Sequence, residues 1–193
     1  MARTIFFVRH GETLFNTQHR AQGRVDSPLT DLGIRQAKAV KKFFEDKNIR
    51  LNAAFSSTQE RACDTLELIV GHNFPYKRLK DLRERSYGVF EARADDLLPW
   101  GHGLEHDKVD PTIETYDSML KRMNSALKTI FEETKDDDTI LVSSHGNFLA
   151  VFTRSLLGGE NLKGMGNCCV VEVKEENKRL QLINIYEPAA NVK

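Results

Sequence analysis

The sequence predicts an α/β domain built on a mostly parallel sheet with an antiparallel element, and three observations carry that expectation. Three short apolar runs, Ile5 to Val8, Ala53 to Phe55 and Ile140 to Val142, are each followed by polar or glycine residues and then by a stretch of helical period. Repetition of strand and helix argues for parallel neighbours, because parallel strands need crossover helices to join them. The C-terminal part differs: Cys168 to Val173 and Arg179 to Ile185 are β-rich runs separated by Lys174-Glu175-Glu176-Asn177-Lys178, the pattern of a hairpin.

Each element has its own signal. After the first run, Thr30-Asp31 stands as an N-cap ahead of Ala37, Val40, Phe43 and Phe44 at helical spacing. After the second, Ser57-Thr58-Gln59-Glu60 has the capping-box pattern and opens a helix with Ala62, Leu66 and Ile69 on one face. Ile113 to Glu133 forms one long amphipathic helix through Met119, Met123, Leu127 and Ile130. After the third run, Ser143-Ser144-His145-Gly146-Asn147 leads to Phe148, Val151, Phe152 and Leu156. Val89 to Pro111 holds Pro99, Gly101 and Gly103 without a sustained period, and reads equally as a solvated connection or as a lid in which Phe90 and Trp100 line a pocket. At 193 residues the chain has the length of one domain, 1–193.

Composition narrows the function classes. Lys plus Arg equals Asp plus Glu, 28 against 28, so no global field draws the chain to nucleic acid or to an anionic membrane. Any attraction for an anion is local. The three cysteines, Cys63, Cys168 and Cys169, include an adjacent pair and no C-x-x-C, which indicates neither a disulfide framework nor a thiolate zinc site. With no apolar run of membrane-spanning length and none long enough for a signal-peptide core, the expectation is a reduced cytoplasm.

Ligands of open α/β sheets bind beyond the carboxyl ends of the strands. Arg9-His10-Gly11-Glu12-Thr13 follows the first strand directly, Arg61 falls in the first helical turn after the second, and His145-Gly146-Asn147 follows the third. Two arginines and two histidines thereby land on one edge of the sheet. Arginine offers a permanently charged fork matched to phosphate oxygens, and histidine serves near neutral pH as nucleophile or cation. Taken singly, Arg61 reads as an exposed helix arginine and His145 as a strand-end hydrogen-bonding group; their joint placement is what points to phosphate.

These residues resemble a known family. Arg9-His10-Gly11-Glu12-Thr13 with Asn16, Gly23-x-x-Asp26-x-Pro28-Leu29-Thr30 with Gly33, Ser56-Ser57-x-x-x-Arg61-Ala62, Glu84 with Gly88, and Ser144-His145-Gly146 are similar, in order, to the histidine phosphatase superfamily, also called phosphoglycerate mutase-like. The resemblance implies a three-layer α/β/α sandwich with His10 as nucleophile and Glu84 as proton donor. It implies that Arg9, Asn16, Arg61 and a protonated His145 bind phosphate and that Gln22 and Gly23 line the substrate. Gly11, Tyr87, Gly146 and Asn147 flank these positions and complete the expected binding set. No metal or other cofactor is required by that scheme, and the partner is a small phosphorylated metabolite. Glu91-Ala92 departs from the family's usual Glu-Gly, which leaves the local path of that loop open. The stretch from Glu84 to His145 is shorter than in the mutases and holds no adjacent arginine pair, so hydrolysis of a phosphomonoester is expected ahead of phosphoglycerate mutation.

Two rivals remain at this level. His102-Gly103-Leu104-Glu105-His106 satisfies H-x-x-E-H, a zinc-peptidase pattern, but that pattern needs a helix and Pro99, Gly101 and Gly103 oppose one. A phosphate-binding module without turnover is the other. The physiological substrate and the oligomeric state stay open.

Overall fold

The computed structural model describes residues 2–99, 110–158 and 165–193. The H-x-x-E-H stretch and Trp100 lie outside the described residues. Six strands, β1 (Arg3–Arg9), β2 (Ala53–Ser57), β3 (Lys77–Leu79), β4 (Thr139–Ser144), β5 (Val170–Glu176) and β6 (Arg179–Tyr186), form one sheet in the order β3-β2-β4-β1-β5-β6. The first four are mutually parallel; β5 runs antiparallel to both β1 and β6. The helices are α1 (Leu14–Thr17), α2 (Asp31–Asp46), α3 (Glu60–Val70), α4 (Tyr116–Glu133) and α5 (Gly146–Leu156).

The alternation of side chains along β1 produces the layers. Ile5 and Phe7 face one way and join Ile140, Val142, Val171 and Val173 in a core shared with Met119, Met123, Leu127 and Ile130 of α4 and Phe148 and Phe152 of α5. Phe6 and Val8 face the other way and pack with Leu141 and Val170 against Ala37, Val40 and Phe44 of α2 and Leu66 and Ile69 of α3. The sheet is covered on both faces, which is the α/β/α sandwich that the resemblance implies.

One strand was not foreseen and three local expectations are corrected. Strand β3, Lys77-Arg78-Leu79, carries no apolar run because it is a short edge strand with both cations exposed. The hairpin turn is Asn177-Lys178, both residues at positive φ, while Lys174, Glu175 and Glu176 belong to β5. Glu175 disguised that strand: it points inward, where its carboxylate takes a 2.8 Å hydrogen bond from Arg3 Nη1 at the far end of the sheet from the site. Helix α4 begins at Tyr116, not Ile113, with the Thr115 side chain accepting from Ser118 N. The capping box at Ser57–Glu60 does not form. Ser57 is still a buried strand residue, Gln59 becomes the N-cap without capping through its side chain, and Glu60 N donates to Asp26 Oδ2 at 2.5 Å.

Two glycines hold the β1–α2 connection tight. A Cβ on Gly33 would lie 2.1 Å from Glu12 O, and one on Gly11 would lie 2.5 Å from Gly33 O, so the loop after His10 rests directly on the first turn of α2. Thr30 N donates to Glu12 O at 2.9 Å and the Thr30 hydroxyl donates to Glu12 Oε1 at 2.7 Å, fixing that loop from the helix side. Among the described residues, no helix is long and apolar enough to cross a membrane.

Candidate active site

The carboxyl ends of β1, β2 and β4 open into a cleft of about 380 Å³ lined by Arg9, His10, Asn16, Gln22, Gly23, Arg61, Glu84, Tyr87, Gly146 and Asn147, together with Arg20, Ala21, Asp95, Leu98, Ala150 and Met165. The sequence-selected residues share this hollow except Gly11 and His145, which are buried and do not line it.

His10 is 3% exposed, and its Nδ1 lies 2.8 Å from Gly11 O. A carbonyl oxygen can only accept, so Nδ1 carries the proton and Nε2 is left as the unprotonated, nucleophilic nitrogen. The backbone is pinned as well: His10 N donates to Ser144 O at 3.1 Å, and His10 O accepts from Cys168 N and from Asn167 Nδ2. His145 faces it, ring centroids 5.4 Å apart, and neither of its ring nitrogens has a hydrogen-bond partner within the described residues although the side chain is fully buried.

Burial first, and then Arg61 and Arg9, push His10 well below the ordinary histidine value of 6.5, with the Gly11 carbonyl pulling the other way. Burial, Arg61, His10 and Arg9 push His145 down too, so the protein by itself holds this ring neutral rather than in the cationic form expected from the resemblance. Two consequences follow from these depressed values. A histidine of this kind contributes stability that is complete above 6.5 and is lost as the pH falls from 6.5 toward the folded value. For turnover, kcat/KM reports the free protein, so its acidic limb is expected well below 6.5; a midpoint at or above 6.5 in a kcat/KM profile would contradict the His10 environment described here.

The arginines are gripped from behind. Arg61 Nη1 donates to Val25 O at 2.8 Å and to Asp26 Oδ1 at 2.9 Å, and Nη2 donates to Gly23 O at 3.0 Å. Gly23 O is available because the residue adopts φ +54, a left-handed turn that turns its carbonyl to the arginine. Arg9 Nη1 donates to Met165 O, and its Nε packs where a Cβ on Gly146 would sit 3.0 Å away. Among the described residues, the Nε of both arginines is buried without a hydrogen-bond partner.

Glu84 is placed by the N-terminus of α5. Its Oε1 accepts from Arg85 N at 2.8 Å and Phe148 N at 2.9 Å, and Oε2 accepts from Asn147 N at 3.2 Å. Below it, Arg122 donates Nε and Nη2 to the two Glu114 oxygens at 2.7 and 2.8 Å and Nη1 to Asp81 O and Arg83 O. Glu114 in turn takes Arg24 Nη2 and Ser86 N, while its carbonyl takes Arg85 Nε. Tyr87 is pushed above the ordinary tyrosine value, first by burial and then by Glu84, so it keeps its proton in the cleft.

A family model described as histidine phosphatase superfamily (branch 1) matches residues 5–187. The chain belongs to the histidine phosphatase superfamily. It is 33% identical over 186 residues to the probable phosphoglycerate mutase GpmB of Yersinia pestis, with 88% of this chain and 83% of that protein covered. Its fold matches YhfR of Bacillus stearothermophilus at TM-score 0.82 and 24% identity, covering 93% and 95% of the two chains. It also matches a mycobacterial glucosyl-3-phosphoglycerate phosphatase at TM-score 0.80 and 21% identity, covering 97% and 99%.

Within this superfamily the Glu91-Ala92 departure has a physical answer. Ala92 sits at φ +61, held by its N–H to Ala21 O at 2.7 Å, so alanine follows a left-handed path at a cost of about 1–2 kcal/mol. Glu91 explains why the path is kept: Oε1 collects Arg24 N, Ser86 Oγ and Tyr87 N within 3.2 Å. Sequence reasoning missed Gln59, Glu114, Arg122 and Asn167. Gln59 is 2% exposed and joins Glu84 N to Gly23 O, so one amide sets the spacing between the proposed proton donor and the turn that holds Arg61.

Proposed function

We propose that this chain is a metal-independent phosphatase that hydrolyses small phosphomonoesters through a phosphohistidine on His10. The observation that carries the proposal is a set of buried groups around His10 left without partners among the described residues: Arg9 Nε and Arg61 Nε, on two residues that line the cleft, and both nitrogens of His145, whose ring lies 5.4 Å from that of His10. Unsatisfied buried polar groups are costly, and a cluster of them around a nucleophilic nitrogen is accounted for by a tetrahedral oxyanion.

In the first half-reaction His10 Nε2 attacks phosphorus, the bond from phosphorus to the ester oxygen breaks, and the leaving oxygen takes a proton from Glu84 in its acid form. Oε2 of Glu84 accepts a single long hydrogen bond, so it can carry that proton while Oε1 keeps both of its own. In the second half Glu84 takes a proton from water, water oxygen attacks phosphorus, and the His10–phosphorus bond breaks. Arg9, Arg61 and Asn16 supply preorganised positive charge and donors for the transferring oxygens, so the scheme requires no metal. His145 donates an N–H while neutral, and a dianionic phosphate between the rings offsets the arginine repulsion and draws a second proton to it.

Hydrolysis is favoured over mutation because three arginines near Glu84, though not Arg83, are already committed. Arg24, Arg85 and Arg122 all bind Glu114, and among the described residues the cleft's cations are Arg9, Arg20 and Arg61. The likeness to a probable phosphoglycerate mutase favours the second reading, phosphoryl transfer between the hydroxyls of phosphoglycerate. Incubation with 3-phosphoglycerate, ribose 5-phosphate and p-nitrophenyl phosphate separates them. Release of inorganic phosphate, unchanged by a chelator, is expected; conversion of 3- to 2-phosphoglycerate faster than phosphate release would overturn the phosphatase reading, and loss of activity to the chelator would overturn its metal independence.

A further inference from the structure

The hydrogen bonds around Asn16 have a fixed direction, and that direction assigns roles to residues beside it. Asn16 Oδ1 accepts three donors: Thr13 N at 3.0 Å, Thr13 Oγ1 at 3.0 Å and Asn167 Nδ2 at 3.4 Å. Its Nδ2 makes no hydrogen bond within the described residues, and the residue lines the cleft.

The Thr13 hydroxyl cannot turn away. It accepts from Asn16 N at 3.3 Å and from Gln22 Nε2 at 2.8 Å, which fills both lone pairs and leaves its single proton for Asn16 Oδ1. Gln22 is itself oriented, because its Oε1 accepts from Ser27 Oγ at 3.3 Å, and Ser27 Oγ accepts from Phe15 N at 3.1 Å. Thr13 is fully buried, and Gln22 and Ser27 are 7% and 8% exposed, so water competes little for these bonds. A flipped Asn16 amide would set its NH2 against three donors.

We propose that Thr13, Gln22 and Asn167 are positioning residues that lock the Asn16 amide in one orientation, so that Gln22, besides lining the cleft, acts on the phosphate through Asn16. The inference rests on the phosphatase reading. It makes Gln22 a determinant of phosphate affinity for every substrate alike, because Asn16 meets the group that all phosphomonoesters share. Asn167 ties the same lock to the nucleophile, since its Nδ2 also donates to His10 O at 3.1 Å.

A double-mutant cycle tests this, with kcat/KM for p-nitrophenyl phosphate and the inhibition constant of inorganic phosphate as readouts and thermal melting as a fold control. Gln22→Met is expected to weaken both readouts about tenfold, the scale of one hydrogen bond. Once Asn16 is alanine, the same change is expected to cost less than about twofold. Thr13→Ser keeps the hydroxyl and should retain near-normal values where Thr13→Val loses them, which carries the test if Gln22→Met unfolds. Losses that multiply in the double variant, or equal losses for Thr13→Ser and Thr13→Val, would overturn the lock. Those results leave the phosphatase reading intact, because its own failure shows as wild-type protein that releases no phosphate.

Discussion

His10→Ala is expected to lower turnover of any phosphomonoester by about 10⁴-fold or more while the protein stays folded. His145 does not replace the lost Nε2, since no carbonyl within the described residues fixes its ring and tautomer as Gly11 O fixes those of His10. The backbone at this position should hold, because His10 N, His10 O and the flanking strands are bonded independently of the ring. Circular dichroism and melting temperature check the fold, and phosphate release checks the chemistry. Activity within tenfold of wild type would remove His10 from the reaction.

Glu84→Gln should divide substrates by the quality of their leaving groups. An alkoxide leaves poorly without a proton, so alkyl phosphates are expected to lose about 10²–10⁴-fold in kcat. An aryl phosphate releases a stabilised phenolate and should lose far less. The amide still offers one oxygen to Phe148 N and Arg85 N, so the loop 83–86 keeps most of its anchoring, helped by Gln59 and the Glu114–Arg122 pair. Equal losses on both substrate types would argue against an acid role for Glu84 and for a purely structural one.

What the sequence disclosed, and what it hid, follow from the range of the forces involved. The parallel strands were legible because β1, β2 and β4 are buried on both faces and so read as apolar runs, and their carboxyl ends named His10, Arg61 and His145 before any packing was known. Edge strand β3 and the charged end of β5 were not legible, the first because it pairs on one side through Lys77 and Arg78, the second because the buried Glu175 carboxylate is satisfied by Arg3 and Lys178 N. The supports of the site were hidden for the same reason. Gln59, Glu114, Arg122 and Asn167 are residue types found on any surface, and only the fold brings into reach partners that lie 25 to 157 positions away. Asn16 and Gln22 were chosen from the resemblance, but the direction of the bonds between them is a property of three dimensions.

The central claim is a covalent bond between phosphorus and His10 Nε2, and rapid quenching during turnover tests it most directly. Mixing the protein with a phosphomonoester, stopping in alkali and mapping the peptides by mass should place one phosphoryl group on His10, stable to base and labile to acid. The same label on any other residue, or steady turnover by Glu84→Gln protein with no labelled His10 at any quench time, would contradict the account.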